Sequence, residues 1–278
     1  FFLNLIVFKG FAEYITPNTG VKWNLDSLVT HSTGTVTKLG TVFFINNNLI
    51  ISANDTIVVS NSANIFVSPN AEITINGTLL TNPISGYVVF TAMDTTQFYK
   101  PIRFDGSNGS VLFKTVVEYG NGIKLINSNI TIDSCSFRKN SKTYNSAAVD
   151  IFQSNPVIQF SEFLYNQSSA IASSALSASS PTIRHNYIYH NVTSNSNVPQ
   201  INLGASVIDT IEISNNAIIG NYTKAGGIAV STLAGSSSYC KIDSNLIQNN
   251  RYGAAAIGNN IFLSIKNNII DANNIQND

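Results

Sequence analysis

In the second half of the chain one apolar and polar pattern recurs: Ile, a Phe or Ile five residues on, and Asn three residues after that. The copies are Ile132/Phe137/Asn140, Ile158/Phe163/Asn166, Ile183/Ile188/Asn191, Ile213/Ile218/Asn221, Ile242/Ile247/Asn250 and Ile265/Ile270/Asn273, with starts 26, 25, 30, 29 and 23 residues apart. Elsewhere apolar residues alternate or form short β-branched runs broken by Asn and Gly, which suits strands and interrupts any helical stripe. A unit of this size with several short strands cannot bury its apolar face alone, whereas stacked units bury a continuous core. The pattern predicts an all-β solenoid whose repeated isoleucines pile up inside while asparagines shape the corners.

Three residues after the first Ile each copy carries a small or polar residue: Cys135, Ser161, Asn186, Asn216, Asn245 and Asn268. This column is expected to form one bend, because Asn tolerates left-handed backbone and bonds to nearby backbone groups. The Asn that closes each copy marks the next bend. Between copies, GIKLI at 122–126, AAVDIF at 147–152, GGIAV at 226–230 and AAAI at 254–257 read as further strands. In the first half LIIS at 49–52, TIVV at 56–59, NIFV at 64–67 and EITI at 72–75 predict the same architecture in a longer-stranded form. Their spacing also fits a β-sandwich, and the second half decides between the two. Residues 36–278 read as one solenoid, residues 13–35 as its amino-terminal cap, and the solenoid is expected to be truncated at its carboxy terminus, inside a copy.

Charged residues make up 11% of the chain, below the usual share of about 25%, so uncharged polar groups carry its solubility. Fifteen basic and fifteen acidic side chains cancel without forming a basic stripe, which excludes a phosphate-tracking surface and with it a nucleic-acid partner. Residues 1–12, FFLNLIVFKGFA, form an apolar run ending in Gly10 and Ala12 and read as the remnant of a signal peptide; a first β-strand is the alternative. Export follows as an expectation, and no run reaches the roughly 20 apolar residues of a membrane span. Cys135 and Cys240 would lie four coils apart, about 19 Å at a strand spacing of roughly 4.8 Å, too far for a disulfide. Both read as small buried thiols, and no metal site or cofactor is expected.

IRHNYIYHN at 183–191 and IDSNLIQNN at 242–250 carry an Ile-x-x-Asn-x-Ile-x-x-Asn signature that resembles the repeat of pectate-lyase-like proteins. The resemblance implies an all-β fold, a single-stranded right-handed parallel β-helix of about nine or ten coils. VVFTA at 88–92, YKPIRF at 99–104 and VEYG at 117–120 are similar to the front end of exported surface proteins of the Bacteroidetes type. That likeness implies a secreted or cell-surface protein. It says little about activity, since one scaffold serves lyases, hydrolases, epimerases and adhesins.

A lyase of such a fold needs carboxylate oxygens for calcium, and the outward column Asp133, Gln159, Arg184, Ser214, Asp243, Lys266 pairs no carboxylates on neighbouring coils. The Asn-Thr-Asp, Asp-Asp, Gly-His-Gly and Arg-Ile-Lys elements of the hydrolases are also missing. The densest polar and aromatic constellation is Arg138, Glu162, Tyr165, Arg184, His185, Tyr187 and His190, joined by Lys139 and Tyr189. Aromatic faces beside hydrogen-bonding groups suit sugar rings, so a polysaccharide or cell-surface glycan is the expected partner. Alternation along the strands leaves open whether Glu162, His185 and Tyr187 share a face; the same residues could simply decorate an ordinary turn. The leading expectation is a non-catalytic module, with a carbohydrate-active enzyme as the alternative.

Overall fold

A computed structural model describes residues 12–206 and 211–275. The apolar run read as a signal-peptide remnant lies, apart from Ala12, outside the described residues. Each coil gives one strand to each of three sheets; in one coil these are Ala147–Phe152 in sheet 1, Val157–Gln159 in sheet 2 and Glu162–Leu164 in sheet 3. Sheets 1 and 2 have 10 strands and sheet 3 has 11. Among the described strands all pairing is parallel except for the hairpin Val36–Leu39 with Val42–Ile45.

The repeat reads directly into register. Ile132, Ile158, Ile183, Ile213, Ile242 and Ile265 are successive partners in sheet 2. Phe137, Phe163, Ile188, Ile218, Ile247 and Ile270 are successive partners in sheet 3. Nearly all are fully buried, and the Phe137 and Phe163 rings stack inside the core at 5.1 Å. Ile265 and Ile270 remain half exposed in the last described coil. First-half strands such as Thr56–Val59, Ala63–Val67 and Ile73–Ile75 run three to five residues, no longer than those of the second half, so the expected longer-stranded form is corrected.

Residues 13–35 do more than cover the end. Tyr14–Ile15 and Lys22–Trp23 are the first strands of sheets 1 and 2, pairing with Leu49–Ile51 and Thr56–Val59. The helix Leu25–His31 then closes the core with Leu28, its start fixed by a reciprocal Asn24–Ser27 capping box. The lone His31 bonds through Nδ1 to Ser27 O and packs edge-on against Trp23. The loop joining the two strands wraps the Asp55 carboxylate, which accepts from the backbone N–H groups of Asn18, Thr19, Gly20 and Val21 at 2.9–3.1 Å.

Each corner carries its own ladder. Between sheets 2 and 3 the backbone N–H of each corner residue donates to the side chain of the next coil: Cys135 to Ser161, Ser161 to Asn186, Asn186 to Asn216, Asn216 to Asn245 and Asn245 to Asn268. The left-handed residue is the one before this column, at Ser134, Phe160, His185, Asn215, Ser244 and Asn267, so the bend sits one position earlier than the sequence suggested. Between sheets 1 and 2 a buried serine ladder, Ser107, Ser128, Ser154 and Ser179, does the same work.

The third ladder, between sheets 3 and 1, corrects one assignment. Asn140, Asn166, Asn191, Asn250 and Asn273 occupy it, but Asn221 is exposed to solvent. Lys139, Tyr165, His190, Asn249 and Ala272 are left-handed just before the ladder position, whereas Gly220 is not. A Cβ on Gly220 would meet Asn249 O at 2.3 Å and Asn250 Oδ1 at 2.5 Å, so the next coil occupies the space in which the Asn221 side chain was expected. The buried Gln200, from sheet 1 of the same coil, bridges the gap. Its Oε1 accepts from Asn191 N and Nδ2, and its Nε2 donates to Asn250 Oδ1 at 2.9 Å.

Candidate functional site

Two outward tracks run the length of sheet 3. One passes through Ser136, Glu162, Tyr187 and Ala217, the other through Glu118, Arg138, Leu164, Tyr189 and Ile219, each step a registered strand pair. The inward residue between them is always core, so alternation puts these side chains on the outer face, where Ser136 is itself covered by its neighbours. Glu162 and Tyr187 therefore share a face as immediate neighbours. Arg138 belongs to the same face and donates from Nε to Glu118 Oε2 at 2.6 Å, while Lys139 Nζ donates to Tyr119 Oη.

Corners frame this face on both sides. On the sheet 2 side Phe160 and His185 stack at 5.1 Å, 6° from parallel. On the opposite side Tyr165 meets His190 and Tyr189 edge-on, and Tyr189 stacks on His190 at 3.6 Å. Tyr187 and Tyr189 stack at 5.3 Å across the floor. Phe160, Tyr165, His185 and His190 all occupy the left-handed region, which costs a non-glycine residue roughly 1–2 kcal/mol; at the corner of Phe160 and His185 the other copies of the repeat fill it with Asn or Ser, and at that of Tyr165 and His190 other coils fill it with Tyr119, Lys139, Asn249 and Ala272. Four aromatic side chains held at unfavourable backbone positions on two adjacent coils build a walled cradle about one strand wide.

Arg184 falls outside this cradle. It projects from the outer face of sheet 2, where its Nε donates to Gln159 Oε1 and Gln159 Nε2 to Asp133 Oδ2. The bend at residues 185–186 turns its strand away from Tyr187. Of the seven predicted residues, six gather on or beside the outer face of sheet 3. Phe160 and Glu118 were missed: Phe160 precedes the column that the repeat marks as the bend, and Glu118 lies 20 residues before the Arg138 that it bonds.

Burial pushes the His190 imidazole below its ordinary value and keeps it neutral near pH 7. Burial first, then Tyr189, Tyr165 and Glu162, raise the Tyr187 phenol, which stays protonated. Among the described residues no cation forms an ion pair with Glu162, leaving it as a carboxylate acceptor beside neutral rings and hydroxyls. The arrangement can accept hydrogen bonds from hydroxyl groups at one edge of a ring and pack its apolar face at the other.

Residues 121–277, more than half of the chain, match the family model described as the right-handed β-helix region. The chain belongs to the right-handed β-helix family. No curated protein and no solved structure gives a significant match. The match begins just after Glu118, so the β-helix continues amino-terminally, in the same three sheets, through coils that the family model does not cover. Family membership fixes the scaffold; its chemistry must come from the side chains.

Those side chains offer no cluster of three or more His, Cys, Asp or Glu that could hold a metal ion among the described residues of the β-helix, nor is any helix long and apolar enough to cross a membrane. Cys135 and Cys240 are free and buried, and burial pushes both thiols up to about 12. We expect alkylation of the native β-helix by iodoacetamide at pH 8 to be slower than that of the urea-unfolded chain by at least about a hundredfold, since the thiolate is the reactive form. Mass spectrometry of timed samples checks this.

Proposed function

We propose that this chain is an exported β-helix module without catalytic activity of its own, which holds a glycan in the aromatic cradle on the outer face of sheet 3. The carrying observation is the placement of Phe160, Tyr165, His185 and His190 at left-handed corners on two consecutive coils. Evolution retains backbone strain where a function repays it, and rings framing a floor of Glu162, Leu164 and Tyr187 suit a pyranose, which presents an apolar face and a rim of hydroxyls. The apolar run at residues 1–12 supports export.

Isothermal titration against a panel of soluble polysaccharides tests the reading. Tyr187→Ala is expected to weaken binding about tenfold, roughly 1.4 kcal/mol, with the fold unchanged. Phe160→Asn should weaken binding likewise while leaving stability unchanged or higher by up to about 1 kcal/mol, because Asn accepts the left-handed backbone more readily. Failure of every polysaccharide to bind, or indifference of binding to Tyr187→Ala, rejects the proposal. Release of reducing ends or unsaturated products, abolished by Glu162→Ala or His190→Ala, would establish a carbohydrate-active enzyme instead.

A further inference from the structure

The tracks that pass through the cradle also reach the amino-terminal coils, where a second aromatic platform lies on the same face. Phe44 and Phe66 are registered partners projecting outward from sheet 3, and their rings stack at 5.8 Å. Phe66 opens onto a groove of about 700 Å³ lined also by Val42, Asn64, Val89, Thr91, Glu118 and Tyr119. Its rim is a turn fixed by Asp94, which accepts from Thr96 N, Thr96 Oγ1 and Gln97 Nε2. Phe66 pairs with Thr91, and from their strands sheet 3 continues through those of Glu118, Arg138 and Leu164 to that of Tyr189, whose ring stacks on Tyr187. Five strand steps separate the two platforms, about 24 Å at roughly 4.8 Å per step.

Between the platforms the outer face carries Thr91, Glu118, Arg138 and Leu164 along one line and Val89, Val116 and Ser136 along the other, polar and apolar groups side by side. Ser136 Oγ is buried there with no partner among the described residues. Of the charges facing this stretch, Arg138 is paired with Glu118, Lys139 bonds the Tyr119 hydroxyl, and Asp94 and Glu162 form no ion pair among the described residues, so three acidic groups face two basic ones. Added negative charge would meet repulsion there, and hydroxyl donors would be accepted.

We infer that the ligand is a linear, neutral glycan lying along the solenoid axis and held at both platforms at once. The inference rests on the glycan-binding reading above. A chain of about five or six pyranoses spans the distance if each advances by roughly one strand spacing, ~5 Å. Engaging the second platform by the same molecule is then an intramolecular step, which raises affinity only once the chain is long enough to reach.

Titration of the intact protein with β-1,4-linked glucose, mannose and xylose oligomers of two to seven units, and with galacturonate oligomers of the same lengths, tests this. For at least one neutral series the affinity should stay nearly flat up to four units, rise tenfold or more between four and six, and then level off. Phe66→Ala should remove that rise and leave the dimer and trimer unchanged; its intact fold is checked by the emission of Trp23, the single Trp of the chain. Galacturonate oligomers should bind at least tenfold more weakly than the neutral hexamer. Equal affinity for dimer and hexamer, a hexamer indifferent to Phe66→Ala, or tighter galacturonate binding overturns the inference while leaving glycan binding in place. Absence of binding by every oligomer rejects the underlying reading.

Discussion

Asp55→Ala is expected to detach the amino-terminal strands of the β-helix while the later coils stay folded. The Asp55 side chain is 1% exposed and accepts four backbone N–H groups from the loop at residues 18–21. Removing the carboxylate leaves these donors buried or half-buried without a partner, a loss of about 3–5 kcal/mol from the amino-terminal end. Trp23, buried in the strand that pairs beside Asp55, should shift its emission to the red, and amide exchange should lose protection over residues 14–23 first. Asp55→Asn keeps one acceptor oxygen and should cost about half as much. If Trp23 emission and exchange at residues 14–23 match those of the wild type, the clamp is not what holds this end.

The same carboxylate sets a pH limit. Burial alone would raise its pKa, but the Thr16 hydroxyl and the backbone N–H groups of Asn18, Val21 and Gly20 outweigh burial and hold it below the ordinary carboxylate value. A depressed folded-state pKa gives stability that is present above the unfolded-state value, near 4, and is lost as the pH falls through the folded one. The cap should therefore be insensitive to this group between pH 5 and 8 and loosen below about pH 4, a dependence that Asp55→Asn removes.

Gln200→Ala is expected to destabilise the molecule by about 3–5 kcal/mol, whereas Asn221→Ala should change stability by no more than about 0.5 kcal/mol. Gln200 is fully buried and joins Asn191 to Asn250 through three hydrogen bonds; truncation strands the Asn191 N–H groups and the Asn250 carbonyl inside the protein. Asn221 stands in solvent. Urea denaturation midpoints of the two variants check the contrast, and the reversed order would return Asn221 to the ladder.

That contrast marks where sequence periodicity stops being informative. The Ile132 and Phe137 columns were legible because side chains one coil apart must pack on each other, so spacing and chemistry repeat together. Asn221 has the right spacing, but its role depends on the backbone angle of Gly220, which no side-chain pattern encodes. The site was half legible for a similar reason. Glu162, Tyr187 and His190 come from neighbouring copies and could be grouped by sequence, yet the left-handed residues that frame their face, Phe160 and His185, sit one position before the column that the repeat marked as the bend. The platform of Phe44 and Phe66 lies where no repeat fixes the register, so only the strand pairing reveals that it shares a face with Tyr187.

The corner ladders have a direction. At each rung the asparagine amide reaches back to a carbonyl of the coil before it, as Asn186 Nδ2 does to Ile158 O, while its own N–H waits for an oxygen from the coil after it, as Asn186 N does for Asn216 Oδ1. No winding has its polar groups satisfied until its successor arrives. Every coil is therefore completed by the one that follows it, and the solenoid is polar along its axis in its hydrogen bonds as well as in its strands.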